Sequence, residues 1–503
     1  MNADDRRIAR NTLYLYGRML VTVWISLYTS RVVLERLGVE NFGIYGVVGG
    51  IVTILSFLNG TMSGATSRFI SYELGLADPE RLRLTFGSAL RLHLWLGLGV
   101  FVLAETVGLW YVNTQLVIAP ARMMAANITY QLSILATLAA VVQVPYSAAI
   151  ISHEHMGAYA VISFVNVVLK LLAALGIALF ATADSLAGYA LLMAVAALAV
   201  TVCFVVYAWR NFAECRTVRA THRDTLRAML RFCGWDVYGN LCFTLRVQGV
   251  VVVLNRFGGA VLNAAGNLTL TVTATITSFA STVVMAFRPQ IVKEYAAGAF
   301  GHMLTLLYNA ARYSFLLMAL IVVPAIIEMD TLLGLWLKNV PPYTAVLCRI
   351  GLVASCGELL ISVVAIGIHA TGRVAAISFI SGTLYLLELP VMWALLVWTG
   401  RPSVVYVVHT VAVLVILLVD TLILKHQLAA FSVFRFWWRG VLLPGVVISA
   451  AFVLTALVAA LIPGEWLRLA VTLMLSTLLL CAMSWLFMLP PEAKAAIRSK
   501  IKL

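Results

Sequence analysis

The feature that most constrains this sequence is a succession of about fourteen apolar runs, each near the 20 residues needed to carry a helix across a bilayer. Broken by Gly, Pro and charge, they lie near 12–34, 42–70, 84–111, 122–151, 156–180, 186–209, 226–254, 260–287, 302–327, 343–369, 374–398, 403–424, 438–462 and 466–489. Hydrocarbon leaves no water to satisfy an exposed backbone, so runs of this length must close their hydrogen bonds internally as helices. The expected fold class is an all-α polytopic membrane protein. Composition agrees: 62% of residues are hydrophobic and 11% charged, with mean hydropathy +0.98, whereas a soluble domain keeps about 25% charged residues on its surface.

The net charge of +14 does not point to nucleic acid. Lys and Arg sit in short loops between apolar runs, not on a basic face interleaved with aromatic residues. They act instead as orientation signals. Arg6, Arg7, Arg10, Arg81, Arg83, Arg210, Arg216, Arg219, Arg223, Lys425, Arg435, Lys494, Arg498 and Lys500 fall on one side, against Arg36, Arg122, Arg256, Lys338, Arg401 and Arg468 on the other. The richer side is expected to be cytoplasmic, with both termini inside. The start, MNADDRRIARNTLYLYGRML, runs into a long apolar stretch without an A-x-A site and reads as an uncleaved first span. Seven cysteines, with no C-x-x-C pair, read as small buried hydrophobes.

The sequence also repeats itself. VVLERLG at 32–38 returns as VVLNRFG at 252–258, placing Arg36 on Arg256 and Gly38 on Gly258 at an offset of 220 (256 − 36). The same offset puts Arg68 of TSRFISYELG on Arg288 of AFRPQIVKEY. Further on, Gly157 and the ISF that follows fall on Gly372 and its ISF at an offset of 215 (372 − 157). Self-similarity of this kind is a fold signal. Six spans separate the copies, so both halves share one orientation, with a substrate site expected between them. The expected organisation is a six-helix bundle over 1–210, a cytoplasmic linker over 211–227, a second six-helix bundle over 228–430, and two additional helices with a basic tail over 431–503. The linker reads as partly amphipathic, its positive charges facing anionic lipid.

Ionisable groups inside spans cost several kcal/mol unless they meet water or a partner, so they are the informative residues. Arg18 lies in the first run, with Thr22, Ile25 and Thr29 on its face; Asp236, Asn240, Phe243 and Arg246 share a face of the seventh. The eighth run, NLTLTVTATITSFAST, aligns Asn267, Thr271, Thr275, Ser278 and Thr282. A polar cavity with guanidinium groups offered to an anionic substrate is one reading. Ion pairing within the bundle and hydroxyls bonded to their own helix are the other, and both stay open. Arg36, Arg68, Arg256 and Arg288 are candidate gate or loop residues by their place in the repeat. Gly46-x-x-x-Gly50 and Gly60-x-x-x-Gly64 predict close helix approach. Glu105, Lys170, Glu358, Glu388 and Asp420 are further intramembrane charges, any carboxylate among them able to couple transport to protons. No catalytic residue and no metal site is expected: SHEHMG at 152–157 has the wrong spacing for HExxH and reads as a solvated loop, and GGAVLNAAGN at 258–267 lacks the strand a dinucleotide fingerprint requires.

The segment NTLYLYGRMLVTVWISLYTSRVVLERLGVENFGIYGVVGG, continuing to ATSRFISYELG, resembles the polysaccharide-type (lipid-linked oligosaccharide) flippases of the multidrug/oligosaccharidyl-lipid/polysaccharide exporter superfamily. Arg18 in a polar first helix, LG-x-E-x-F-G-x-Y at 37–45 and Arg68-Phe69-Ile70 carry the resemblance. It implies two six-helix bundles around a central V-shaped cavity faced by Arg18, Asp236 and Arg246. It also implies transfer of a polyprenyl-diphosphate-linked oligosaccharide from the cytoplasmic to the periplasmic leaflet of a bacterial inner membrane, for cell-surface polysaccharide such as O-antigen. No cofactor is expected, with H+ or Na+ as the candidate coupling ion. The lipid-linked oligosaccharide, membrane lipids and other polysaccharide-assembly membrane proteins are the expected partners, and nucleic acid is not. A cation-coupled multidrug exporter is the alternative, favouring acidic and aromatic cavity residues. A membrane-embedded polymerase or glycosyltransferase is a second, but it needs a sizeable extracytoplasmic loop that this chain lacks.

Overall fold

The computed structural model describes residues 57–114, 116, 118–177, 184–216, 222–337 and 340–488, with isolated positions between 14 and 48; the side chains of 57–61, 259, 260 and 263 lie outside that description. A first helix, α1 (Phe57–Leu76), is followed by α2 (Pro79–Thr114), α3 (Pro120–Ser152), α4 (Met156–Leu175) and α5 (Ser185–Asn211). Then come α6 (Arg223–Gly258), α7 (Ala264–Ala296), α8 (Phe300–Ile327), α9 (Thr344–Thr371), α10 (Ala375–Thr399), α11 (Val404–Gln427), α12 (Val433–Ala460) and α13 (Glu465–Phe487). Among the described residues, the twelve helices α2 to α13 are long and apolar enough to cross a membrane. They fall in order on the third to fourteenth sequence runs; the first run and the start of the second lie mostly outside the described residues. The chain is an all-α, multi-pass membrane protein.

Two compact units divide it, Arg10–Gly234 and Trp235–Leu503. Helix boundaries recur between them at nearly constant spacing. Helix α1 ends at Leu76 and α7 at Ala296, 220 apart (296 − 76); α2 begins at Pro79 and α8 at Phe300, 221 apart (300 − 79). Helix α5 begins at Ser185 and α11 at Val404, 219 apart (404 − 185). Packing recurs as well: α3 lies along α5 in the first unit, and α9 along α11 in the second. Helices α12 and α13 pack on each other and on α8, where Ala319, Val323, Ala451 and Leu480 form their own apolar cluster.

Local chemistry explains the helix ends. Asp78 caps α2, its Oδ1 accepting from the N–H groups of Glu80 (3.0 Å) and Arg81 (3.1 Å), with Pro79 at the first helical position. Asp184 caps α5 in the same way and also accepts from Arg122 at 2.8 Å. Gly372 and Gly400 end α9 and α10 with φ of +77° and +66°, a conformation that costs glycine little.

One expected loop is absent. The backbone is helical without interruption from Arg223 to Ala296, 74 residues, although a straight helix of that length would run about 110 Å, against a hydrocarbon core of about 30 Å. The chain nevertheless reverses: a methyl placed on Gly266 would stand 2.6 Å from Leu254 Cδ1, and Val250, Leu254, Leu262 and Ala265 share one core cluster. The turn is made within helical geometry near Gly258, so no polar loop was needed to mark it.

A close approach of helices is also found at glycines the sequence analysis did not single out. Gly46 and Gly50 are outside the described residues, and Gly64 is only half-buried. Gly239 of α6 faces Gly382 and Ser378 of α10, with backbone atoms 3.4 Å from the positions their Cβ atoms would take. SHEHMG is not a solvated loop but packs on the segment after α5. Ala213–Arg216 form a tight turn that buries Glu214 and Cys215. His153 stacks on Phe212 with ring centroids 4.1 Å apart and holds Glu214 Oε1 at 2.6 Å. Burial by itself raises the Glu214 carboxyl; the His153 hydrogen bond, a backbone N–H, the His153 charge and Arg83 outweigh it and hold the group below its ordinary range.

Two outcomes follow from this packing. Gly382→Leu forces α6 and α10 apart and is expected to cost about 1–3 kcal/mol in unfolding measured in bicelles. Because the Glu214 carboxyl is depressed, its docking contribution is complete above about pH 4.3 and is lost as pH falls through the depressed value. Hydrogen exchange at Ala213–Arg216 is therefore expected to be faster in Glu214→Gln than in wild type near pH 7, and equal in acid.

Candidate functional site

Charges inside the membrane helices of the second unit are gathered into clusters. Arg246 of α6 donates from Nη2 to Glu358 Oε1 of α9 at 2.5 Å. Its guanidinium lies 4.8 Å from the Phe243 ring centroid and 5.4 Å from that of Tyr385. The two rings, themselves packed edge to face with centroids 5.4 Å apart, thus lie together on one side of the cation while its Nη2 meets a carboxylate. Glu358 Oε1 is also 3.2 Å from His409 Nε2 of α11, and His409 Nδ1 is 2.9 Å from Glu388 Oε2 of α10. Four helices therefore meet at one Arg–Glu–His–Glu chain, in which Arg246, His409 and Glu388 are buried and Glu358 is half-buried. The other Glu388 oxygen, Oε1, and Arg246 Nε carry no hydrogen bond.

A second cluster gathers Asp236 of α6, Arg288 of α7 and His369 of α9. His369 Nε2 is 3.6 Å from Asp236 Oδ1, and Arg288 Nη2 is 3.4 Å from His369 Nδ1. A third is the pair Ser381 and Asp420, 2.5 Å apart across α10 and α11, with Asp420 Oδ2 buried and unbonded. Among the described residues no group of three or more His, Cys, Asp or Glu side chains is arranged to hold a metal ion, and all seven cysteines are free thiols.

The hydroxyl-bearing stripe of α7 is exposed. Asn267, Thr271, Thr275 and Ser278 all face outward. Their hydroxyl protons return to their own helix: Thr271 to Asn267 O at 2.9 Å, Thr275 to Thr271 O at 2.7 Å, Ser278 to Thr275 O at 2.6 Å. The oxygen lone pairs remain outward, so the stripe can accept hydrogen bonds along its length. Asn240 of α6 is exposed too, and its amide donates to Asp236 O at 2.9 Å.

The first unit is quieter. Arg68 is buried in α1, its guanidinium 4.7 Å from the Phe69 ring and 4.9 Å from the Tyr72 ring. Its repeat counterpart Arg288 sits with Asp236 and His369. Arg36 and Arg256 are exposed, and Thr22 is half-buried. Arg18 lies outside the described residues. Arg122 ties Asp184 to Asn41 at one end of this unit. Glu105 accepts from Gln131 at 3.2 Å, beside a helical bulge at Ala104–Gly108 where Tyr130 donates to Ala104 O at 2.7 Å.

Sequence reasoning singled out Arg246, Glu358 and Glu388 without joining them, and it passed over His409, His369 and Tyr385. The signal was present in weak form, since a histidine deep in an apolar span is itself a buried ionisable group.

No family model and no curated protein matches this chain. Solved structures do match in fold. VcmN, a MATE transporter of Vibrio cholerae, superposes with TM-score 0.70 at 16% identity, over 86% of this chain and 99% of that one. The MATE transporter ClbM, solved in complex with Rb+, gives TM-score 0.70 at 16% identity, over 86% and 96%. A MOP superfamily transporter from Pyrococcus furiosus, described as having a binding pocket of reversed polarity, gives 0.69 at 14% identity, over 84% and 96%. The chain has a MATE-like fold.

Removing Arg246 strands Glu358 in the bundle. Arg246→Ala is expected to destabilise the protein by about 3–5 kcal/mol, the range for breaking one side of a buried ion pair, read by reversible unfolding in bicelles.

Proposed function

We propose that this protein is a transporter that flips a polyprenyl-diphosphate-linked oligosaccharide across a bacterial inner membrane by alternating access, driven by an ion gradient, in cell-surface polysaccharide assembly. The observation that carries the reading is the exposed stripe Asn267–Thr271–Thr275–Ser278 on a membrane-crossing helix. Polar side chains turned toward hydrocarbon are costly, and a row of outward lone pairs suits a glycan, whose hydroxyls need acceptors. The MATE-like fold supports the transport class.

The residues proposed to contact the headgroup are Arg18 and Thr22 in the first unit, and Asp236, Asn240, Arg246, Asn267, Thr271 and Thr275 in the second. Arg36, Arg68, Arg256 and Arg288 are proposed as gate or loop residues. With Arg246 neutralised by Glu358, a diphosphate meets that guanidinium only when the pair opens. Partners in this reading are the lipid-linked oligosaccharide, membrane lipids and other polysaccharide-assembly membrane proteins. A cation-coupled multidrug exporter is the second reading, favoured by the MATE transporters among the fold relatives.

Reconstitution decides between them. Labelled lipid-linked oligosaccharide is expected to cross leaflets in wild-type proteoliposomes and to slow at least tenfold in the double variant Arg18→Ala, Arg246→Ala. Unchanged flipping in that variant rejects the arginine roles, and drug resistance without flipping supports the exporter.

A further inference from the structure

His409 stands between two carboxylates, and that placement fixes a proton count. Its Nδ1 is 2.9 Å from Glu388 Oε2 and its Nε2 is 3.2 Å from Glu358 Oε1. A neutral imidazole has one N–H and one lone pair, and a carboxylate only accepts. Both contacts are hydrogen bonds only if the ring carries two protons or if one glutamate carries the second. In either arrangement the trio holds one proton more than a neutral ring with two carboxylates.

Charge gives the same count. Arg246 contributes one positive charge, Glu358 and Glu388 two negative charges; with the extra proton the four groups sum to zero, and without it to minus one. A net charge inside a membrane bundle costs several kcal/mol, which favours the neutral cluster, and Glu358, with 21% of its side chain exposed, is the member open to the surface. Other titratable side chains beside the cluster are Tyr385 on α10, which also faces Asp420, and Tyr406, one turn before His409 on α11. The tyrosines are neutral below about pH 10, and Asp420 is bound to Ser381. Glu358 Oε1 already meets Arg246 Nη2 and His409 Nε2.

We propose that the Glu358–His409–Glu388 cluster is a one-proton binding site, and that loading and releasing this proton is the ion-coupling step of the transport cycle. Loading adds H+ from water to the imidazole–carboxylate pair; release returns it, with no other bond made or broken. The unbonded Glu388 Oε1 is the atom left to receive a water or the incoming proton. The site itself rests on geometry alone, and its coupling role rests on the transport reading above.

The test titrates the full-length protein in nanodiscs between about pH 5 and pH 10, counting protons taken up. Wild type is expected to bind about one proton more per chain than Glu388→Gln, which keeps the ring and removes the charge the proton balances, and than the double variant Glu388→Gln, His409→Gln. Equal uptake by wild type and both variants, each eluting as a folded species, overturns the site. In proteoliposomes with an imposed pH gradient, wild type is expected to accumulate labelled lipid-linked oligosaccharide on one leaflet, and Glu388→Gln only to equilibrate it. Accumulation driven by a sodium gradient alone overturns the coupling role. If wild type moves no such lipid while the one-proton difference stands, the flippase reading falls and the proton site remains.

Discussion

The dependence that organises this structure is the neutralisation of Arg246 by Glu358 inside the membrane. Neither group can be left alone in hydrocarbon, so α6 must lie within hydrogen-bonding reach of α9, and His409 and Glu388 bring α11 and α10 to the same point. Apolar burial does not select one arrangement of helices over another when lipid is as apolar as leucine. The ion pair does. The glycine contact of Gly239 with Gly382 then has a plain purpose, because it lets α6 come near enough to α10 for Phe243 and Tyr385 to close over the guanidinium.

Polar chemistry at the helix ends has a different character. Glu328, buried after α8, accepts from Arg468 at 3.1 Å, Thr472 at 3.0 Å and Thr331 at 3.0 Å, which clamps α13 to the unit. Arg122 and Asp184 do similar work in the first unit at 2.8 Å. These are fastenings near span ends, each internal to one unit, and they do not resist the motion of that unit as a body. The clusters around Arg246 and Asp236 lie within the spans, and the exposed stripe of α7 belongs to the same unit. The charged clusters around Arg246 and Asp236 and the exposed hydroxyl stripe of α7 thus share the second unit.

Much of the fold was legible in the sequence because a membrane helix writes itself into one dimension: length and hydropathy suffice, and twelve runs became twelve helices, with α7 ending nine residues past its expected end (296 − 287). What failed to show was whatever depends on tilt and rotation. The turn between α6 and α7 keeps helical geometry, so neither Gly258 nor Gly259 marked a break in backbone structure. The His153 partner Glu214 is 61 residues away and joins it through a turn with no periodic signal. Glu358, Glu388 and His409 lie on three separate helices, and their meeting point is set by how those helices lean. The hydroxyl stripe of α7 was legible, since 3.6-residue periodicity alone aligns it.

The most direct test is a double-mutant cycle between Arg246→Ala and Glu358→Ala, scored by reversible unfolding in bicelles. If neutralisation of this pair holds the second unit together, the two substitutions are non-additive by more than about 1 kcal/mol, the double variant losing much less than the singles combined. Additivity within about 0.5 kcal/mol would mean that the two groups do not meet, and would contradict the arrangement on which the rest is built.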